Sequence, residues 1–251
     1  MLIHHAMSLT IALGNTRLSS MPRATHIRSK PPQLSATNPC ESAGWPQLQD
    51  MLDKVPVFTV ANNGGQPLEY QVGERKLAVF YADVEVAKKE YDTARGNFPD
   101  LGYDMVAVGL GTAYKVSCEG NGLVVPGLAE LRAAGAPEDA EPMGQELPLF
   151  ACMEMQREGD DGLKVPLFVS FADCASTVAQ ASESAGDDGL AVNTVLSLQS
   201  VVEELSALAD PASGDFSFEV PLASLQHMES YVGQGVYMRK VDEDDEGKTG
   251  A

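Results

Sequence analysis

The sequence predicts an α/β (α+β) fold in which two copies of a strand-strand-helix-strand unit form one pseudo-two-fold domain, with extra C-terminal helices. Three landmarks recur in the same order, at nearly the same spacing and with an offset of about 90 residues. The chain has 251 residues, of which 44% are hydrophobic, so it can bury a sizeable core.

The first landmark is an apolar-Pro-apolar-Phe sequence at residues 55–58, repeated at 147–150. The second is an apolar strand that ends in aromatic-Ala-Asp, at Asp83 and again at Asp173. Each aspartate follows the proline of its copy, by 27 residues in the first copy and by 25 in the second. The third is an apolar tripeptide at 108–110 and at 196–198. Such agreement favours an internal duplication.

Local signals place the elements of each copy. In the first copy a strand at 55–58 precedes an Asn-Asn-Gly-Gly turn and a second strand. Asp83 is then expected as the N-cap of a helix over 84–95, followed by a strand over 105–110. In the second copy Asp173 is expected to cap a helix over 174–184, and a strand over 191–198 follows.

The domain organisation follows from this duplication. The body spans residues 41–241 and consists of repeat one (52–117), an acidic linker (119–146), repeat two (147–209) and a C-terminal extension (210–241). The linker holds one helical run, over 123–134. The extension holds a strand and a helix opened by Pro221, whose stripe of Leu222, Leu225, Met228 and Val232 is expected to face the core. Residues 242–251 are an acidic tail.

The charge is unevenly distributed. Residues 1–40 contain four basic residues, nine Ser or Thr and no acidic residue, which is the composition of an organelle transit peptide. A disordered basic leader of a cytosolic protein is the alternative. The whole chain carries a formal charge of −19, so residues 41–251 carry −23. A field of that sign disfavours binding to nucleic acid and to anionic lipid.

Composition and spacing exclude several kinds of site. No run of about 18 apolar residues predicts a transmembrane helix, which leaves only peripheral association with a membrane open. Cys40, Cys118, Cys152 and Cys174 stand far apart without a C-x-x-C pair, which argues against a zinc site or a disulfide scaffold. No metal or cofactor site is therefore predicted.

Enzyme signatures are weak. His227 is the single histidine after residue 40, and its mid-helix position favours a partly exposed residue over a catalytic base. Cys174 follows an expected helix cap without a nearby base, so a buried thiol is favoured. Gly-Lys-Thr at 247–249 lacks the preceding glycine of a phosphate loop. Gly109-Leu110-Gly111 has Tyr114 at the third glycine position of a dinucleotide fingerprint, and no helix with caps is predicted after it. The sequence predicts no enzyme.

The motifs resemble the Tic22 family over roughly residues 52–204. They are V-P-V-F-T-V at 55–60, K-L-A-V-F-Y-A-D at 76–83, V-A-V-G-L-G-T-A-Y at 106–114 and V-P-L-F-V-S-F-A-D at 165–173. Members of this family are the soluble intermembrane-space component of the chloroplast inner-envelope translocon. The resemblance implies a duplicated domain with hydrophobic pockets on its two sides, and chaperone-like handling of precursor proteins. The candidate core or pocket residues are Phe58, Phe80, Phe150 and Phe168.

Two functional hypotheses follow from the resemblance and the composition. The first is a non-enzymatic plastid protein whose partners are precursor proteins and translocon components. The alternative is a peripheral structural subunit of a thylakoid assembly, such as photosystem I with its antenna, that docks through residues 123–131 and 216–241. Co-purification with thylakoid complexes at fixed stoichiometry distinguishes the two.

The leader generates a testable prediction. If residues 1–40 only target the protein, their deletion should leave the melting temperature and the cooperativity of unfolding unchanged, because the body has its own core. Thermal denaturation of both forms checks this. A large drop in melting temperature would show instead that the leader packs on the body.

Overall fold

A computed structural model describes residues 38–72, 74–159, 162–186 and 189–232. A short helix precedes two halves with the same order of elements. The first elements are α1 (Trp45–Leu52), β1 (Pro56–Ala61), β2 (Glu69–Val72), β3 (Arg75–Tyr81), α2 (Val84–Asn97), β4 (Asp104–Gly109), α3 (Leu110–Cys118), β5 (Gly122–Val125) and α4 (Leu128–Ala133). The second half contains β6 (Pro148–Ala151), β7 (Arg157–Gly159), β8 (Gly162–Phe168), α5 (Phe171–Ala185), β9 (Thr194–Ser197), α6 (Leu198–Ser206), β10 (Phe216–Glu219) and α7 (Leu222–Val232).

The two sheets have the same order of pairings. In the first, β1 lies between β3 and β4 and pairs antiparallel with both, while β3 pairs with β2 along its first part and with β5 along its second. In the second, β6 lies between β8 and β9, and β8 pairs with β7 and then with β10. The last pairing is parallel in each sheet, β3 with β5 and β8 with β10.

The strand registers show which positions of the halves correspond. Phe58 is opposite Tyr81 in the first sheet, and Phe150 is opposite Phe168 in the second. Two residues after Tyr81 is Asp83, and two residues after Phe168 is Ser170. The expected correspondence of Asp83 with Asp173 is therefore wrong by three residues, since the aromatic-Ala-Asp sequence falls inside α5 in the second half.

Alternation along the strands divides the apolar side chains between two environments. Val57, Phe80, Leu149 and Leu167, one each from β1, β3, β6 and β8, belong to a single central core that both halves share. The residues next to them along each strand point to the other face of the sheet. There they pack under α2 in the first sheet and under α5 in the second. Because successive strand residues point to opposite faces, this period of two assembles one shared core and two outer ones.

The four predicted phenylalanines are buried, but they do not share a pocket. Phe80 belongs to the central core, and Phe58 packs beneath α2. Phe150 and Phe168 pack together beneath α5. These side chains therefore serve packing in three separate clusters.

Two predicted segments belong to the sheets. The expected linker contains β5, which pairs with β3 and completes the first sheet. The expected C-terminal extension supplies β10, which takes the same place beside β8. Both strands pair in parallel with a partner more than 40 residues earlier in the chain. The strand predicted in the extension is therefore confirmed, whereas the helical run expected over 123–134 is wrong at its start, where β5 is a strand. Composition does not reveal the long-range pairing that holds β5.

The leader was expected to extend to residue 40, but the described fold already includes residues 38–40. Asn38 accepts a hydrogen bond from the Cys40 amide at 3.0 Å and caps the short 3-10 helix Pro39–Glu41. Cys40 packs against the central core. These residues belong to the fold, so a truncation that tests the leader should end at residue 37. Residues 1–37 and the acidic tail at 242–251 lie outside the described residues.

The outer clusters predict the effect of truncating their aromatic residues. Phe58→Ala and Phe150→Ala should each lower the free energy of unfolding by about 3–5 kcal/mol, because both side chains are almost completely buried. Urea denaturation measures this. Phe98→Ala is the control, since Phe98 is 49% exposed and its loss should cost less than about 0.5 kcal/mol. A cost under roughly 1 kcal/mol at Phe58 or Phe150 would contradict their packing role.

Candidate functional site

A cavity of about 220 Å³ lies between the two halves, where β3 leads into α2 and β8 leads into α5. We call it the junction pocket. It is defined by its polar lining residues, Asp83, Glu130, Ser170, Asp173 and Ser224. Its apolar lining includes Val84, Val169 and Pro221. The resemblance implies hydrophobic pockets on the two sides of the domain, whereas this cavity lies at the junction of the halves and combines carboxyl and hydroxyl groups with a larger apolar lining.

Two of the polar residues are the caps of corresponding helices. Asp83 is the N-cap of α2, and its Oδ1 accepts the Glu85 N–H at 2.8 Å. Ser170 is the N-cap of α5, and its Oγ accepts the Asp173 N–H at 3.2 Å. Side-chain oxygens at this position satisfy amides that have no partner within the helix. The halves thus supply a carboxylate and a hydroxyl at the same place.

Asp173 does not cap α5, contrary to the prediction. The helix begins at Phe171, so Asp173 is its third residue. The carboxylate reaches across to the next helix instead, where Asp173 Oδ2 accepts the Leu222 N–H at 2.9 Å. Asp173 therefore links the first turns of α5 and α7 at the wall of the pocket.

Glu130 and Ser224 also occupy corresponding positions. Val125 is opposite Tyr81 in the parallel pair of the first sheet, and Glu219 is opposite Phe168 in that of the second. Glu130 follows Val125 by five residues, and Ser224 follows Glu219 by five. The first half again supplies a carboxylate where the second supplies a hydroxyl. Sequence analysis missed both residues.

The Glu130 carboxylate converges with that of Asp83. A methyl group at Gly127 would overlap Glu130 Oε2 and would lie 3.0 Å from Asp83 Oδ2, so both oxygens lie against this glycine. Glu130 Oε2 is buried and has no hydrogen-bond partner among the described residues. Burial raises the pKa of the Glu130 carboxyl, and the charges of Asp83 and Asp173 raise it further.

Ser224 is the second lining residue of the junction pocket whose buried oxygen has no hydrogen-bond partner among the described residues. The residue is 1% exposed, and its Oγ has no hydrogen-bond partner among the described residues. Its burial shows that α7 does not present the expected stripe to the core, since Leu222 is 54% and Leu225 40% exposed. Pro221 and Ser224 are buried instead, and His227 lies edge-on to the Phe58 ring at 5.4 Å.

Exposed apolar side chains stand beside the pocket. Leu222 and Leu225 project from the first turns of α7, and Phe171, at the start of α5, is 38% exposed. Phe171 and Leu222 are next in sequence to Ala172 and Ala223, which line the cavity. We call these three exposed residues the apolar rim.

The other candidate residues have structural explanations. Burial raises the pKa of the Cys174 thiol to about 12, which makes it a poor nucleophile at neutral pH. Burial lowers the pKa of His227, which packs against an aromatic ring.

Among the described residues, no group of three or more His, Cys, Asp or Glu is arranged to hold a metal ion. No helix in this part of the chain is long and apolar enough to cross a membrane. The Gly-Lys-Thr sequence at 247–249 lies outside the described residues.

The helix α3 begins at Leu110, so Gly109 is its N-cap residue, without a capping side chain, and Gly111 lies in its first turn. The Asp53 carboxylate occupies the space beside Gly109 and accepts the Thr112 N–H at 2.7 Å. A side chain of this protein thus fills the place where a dinucleotide phosphate would bind. The glycines allow this close approach.

The raised pKa of Glu130 generates a prediction about pH. A carboxyl with a higher pKa in the folded state stabilises the protein while it is protonated, and this contribution is lost as pH rises through the folded pKa. Glu130→Gln stays neutral. Its free energy of unfolding should therefore increase relative to wild type as pH rises above about pH 4, where an ordinary glutamate carboxyl ionises. Urea denaturation at a series of pH values above this point measures the difference, with the exposed Glu204→Gln as a control. A difference that stays constant with pH would contradict the assignment.

Comparisons with known proteins show a likeness in structure. No protein-family model matches the chain, and no curated protein matches it. A solved structure of Tic22 from Plasmodium falciparum superposes with a TM-score of 0.57 at 15% identity, covering 76% of this chain and 99% of that one. Anabaena Tic22, described as a protein of protein transport, superposes with a TM-score of 0.56 at 18% identity, covering 74% of this chain and 96% of that one. The chain therefore has a Tic22-like fold.

Proposed function

We propose that this protein binds other proteins during their transport into a plastid, and that it does so as a chaperone-like component without catalysing a reaction. The observation that carries the proposal is the likeness to two Tic22 structures over nearly their whole length, one of them described by its role in protein transport. Precursor proteins and translocon components are the partners in this proposal. The intermembrane space is the proposed location.

Charge supports a basic partner. The chain carries −19 in total, and the Ser- and Arg-containing leader accounts for none of the 36 acidic residues. A negative surface attracts basic segments from a distance and raises their rate of encounter. Segments that direct proteins to organelles are rich in arginine and poor in acids, so they have the complementary charge.

The apolar rim supports a complex that lasts beyond the encounter. Electrostatic attraction sets the rate and the salt dependence of association, whereas burial of apolar side chains slows dissociation. Phe171, Leu222 and Leu225 expose apolar surface next to the acidic pocket. A basic amphipathic segment has both features that this surface would complement.

Binding of such a segment should respond to salt only in part. The probe is a basic amphipathic peptide of about 20 residues, titrated into the protein by calorimetry. Raising salt from about 0.05 M to about 0.5 M shortens the screening length from about 14 Å to about 4 Å. We expect the affinity to fall without vanishing, because apolar contacts persist. Complete loss at high salt would show that the apolar rim takes no part.

A double variant isolates the apolar contribution. Leu222→Ser with Leu225→Ser should weaken binding about tenfold or more at high salt, which is the effect of leaving one leucine unburied in the complex. Leu163→Ser is the matched control, since Leu163 is also exposed but lies at the opposite end of β8. If no basic amphipathic peptide binds at low salt, the proposed function is wrong.

A further inference from the structure

The junction pocket has an excess of hydrogen-bond acceptors. Three carboxylates, those of Asp83, Glu130 and Asp173, line one cavity, and no Lys, Arg or His is among its lining residues. The amides at the helix starts are already satisfied in part, because Asp83 accepts the Glu85 N–H and Asp173 accepts the Leu222 N–H. The described lining residues therefore offer more hydrogen-bond acceptors than donors.

A neutral residue, Ser224, gives a second observation that is independent of the acidic cluster. Ser224 lines the cavity, is 1% exposed, and has an Oγ without a partner among the described residues. Glu130 Oε2, at the corresponding position of the other half, is likewise buried without a partner. Buried polar atoms are nearly always hydrogen-bonded in folded proteins. Two unpartnered oxygens at equivalent positions of one cavity therefore point to a ligand that hydrogen-bonds with both, and the three acidic residues favour a ligand that donates.

The size and lining of the pocket narrow the class of ligand. Three carboxylates repel an anion, and no group of acidic residues in the described part of the chain has the arrangement of a metal site. A volume of about 220 Å³ holds several heavy atoms. Val84, Val169 and Pro221 supply apolar surface for the methylene groups of a ligand. The acidic and serine residues of the lining supply oxygens for a positively charged head group. Lysine and arginine side chains have this combination of stem and donor-only head.

We propose that the junction pocket binds the ammonium or guanidinium head of a basic side chain from a partner protein, with Glu130 and Ser224 accepting its hydrogen bonds. The inference rests on the proposed function, because it names the group by which a transported protein is recognised. It adds a specific site to the long-range attraction of the acidic surface.

The site is tested by measuring how variants of the full chain bind a set of short peptides. The peptides have blocked termini and identical sequences except at one central residue, which is arginine, lysine or the neutral citrulline. Gly127→Ala places a methyl group against Glu130 and Asp83 without changing the charge. The φ of Gly127 is −68°, which alanine adopts freely. Gly96→Ala is the matched control, since a Cβ there meets nothing within 4 Å. Affinity is measured by calorimetry.

We expect Gly127→Ala to weaken binding of the arginine or the lysine peptide at least tenfold, and Gly96→Ala to change it less than twofold. Wild type should bind the citrulline peptide as weakly as Gly127→Ala binds the charged ones. Glu130→Gln, which keeps the shape of the side chain, should weaken binding similarly, with the exposed Glu204→Gln as its control. If Gly127→Ala does not unfold cooperatively, the affinity of Glu130→Gln decides whether the junction pocket is the binding site.

The outcomes separate this inference from the proposed function. If wild type binds the basic peptides but Gly127→Ala and Glu130→Gln bind them equally well, the junction pocket is not the site, while the proposed function stands. If a peptide with a free N-terminal ammonium and no basic side chain competes for the pocket as well as the arginine peptide, recognition of a side chain is wrong. If wild type binds none of them, both proposals fail.

Discussion

The fold depends on a hydrophobic core that neither half completes alone. Strands β1, β3, β6 and β8 send alternate side chains into it, and α1 and α6 add their own apolar residues. Each sheet also has an outer face, which the helix of its own half covers. A sheet with apolar side chains on both faces must be covered on both, so each half needs the other. The shared core thereby fixes the halves relative to each other and brings the ends of β3 and β8 together.

The junction pocket is a consequence of this arrangement. Strands β3 and β8 lead into helix N-termini there, and α4 and α7 start at the same place. Helix starts present unpaired amides and a partial positive charge, and carboxylates stabilise them. Asp83 and Asp173 meet that need. Glu130 Oε2 and Ser224 Oγ remain without partners among the described residues, although they are buried. A surplus of acceptors at the meeting point of two similar halves is what distinguishes the pocket from ordinary helix capping.

Local chemistry explains which site residues the sequence revealed. Asp83 was predictable, because the cap of a helix depends on the few residues that follow it. Asp173 was misplaced because Ser170, three residues earlier, is an equally good cap and starts the helix sooner. Glu130 was hidden in a segment with the composition of a linker, and Ser224 in a helix whose leucines suggested the wrong buried face. Pro221 and Ser224 face inward because β10 fixes where α7 begins and in which direction it runs.

The fold class and the burial of the four phenylalanines followed from the sequence alone, because they depend on short-range periodicity and on turns and caps a few residues long. The sequence also determined the negative charge that favours basic partners. Three features became apparent only in the folded chain: β5 and β10 complete the sheets, Leu222 and Leu225 of α7 are exposed, and Glu130 and Ser224 line one cavity. These features depend on parallel pairing between strands more than 40 residues apart and on a core shared by both halves. No local pattern of residues encodes contacts of that range, since they form only when the whole chain buries its apolar surface together.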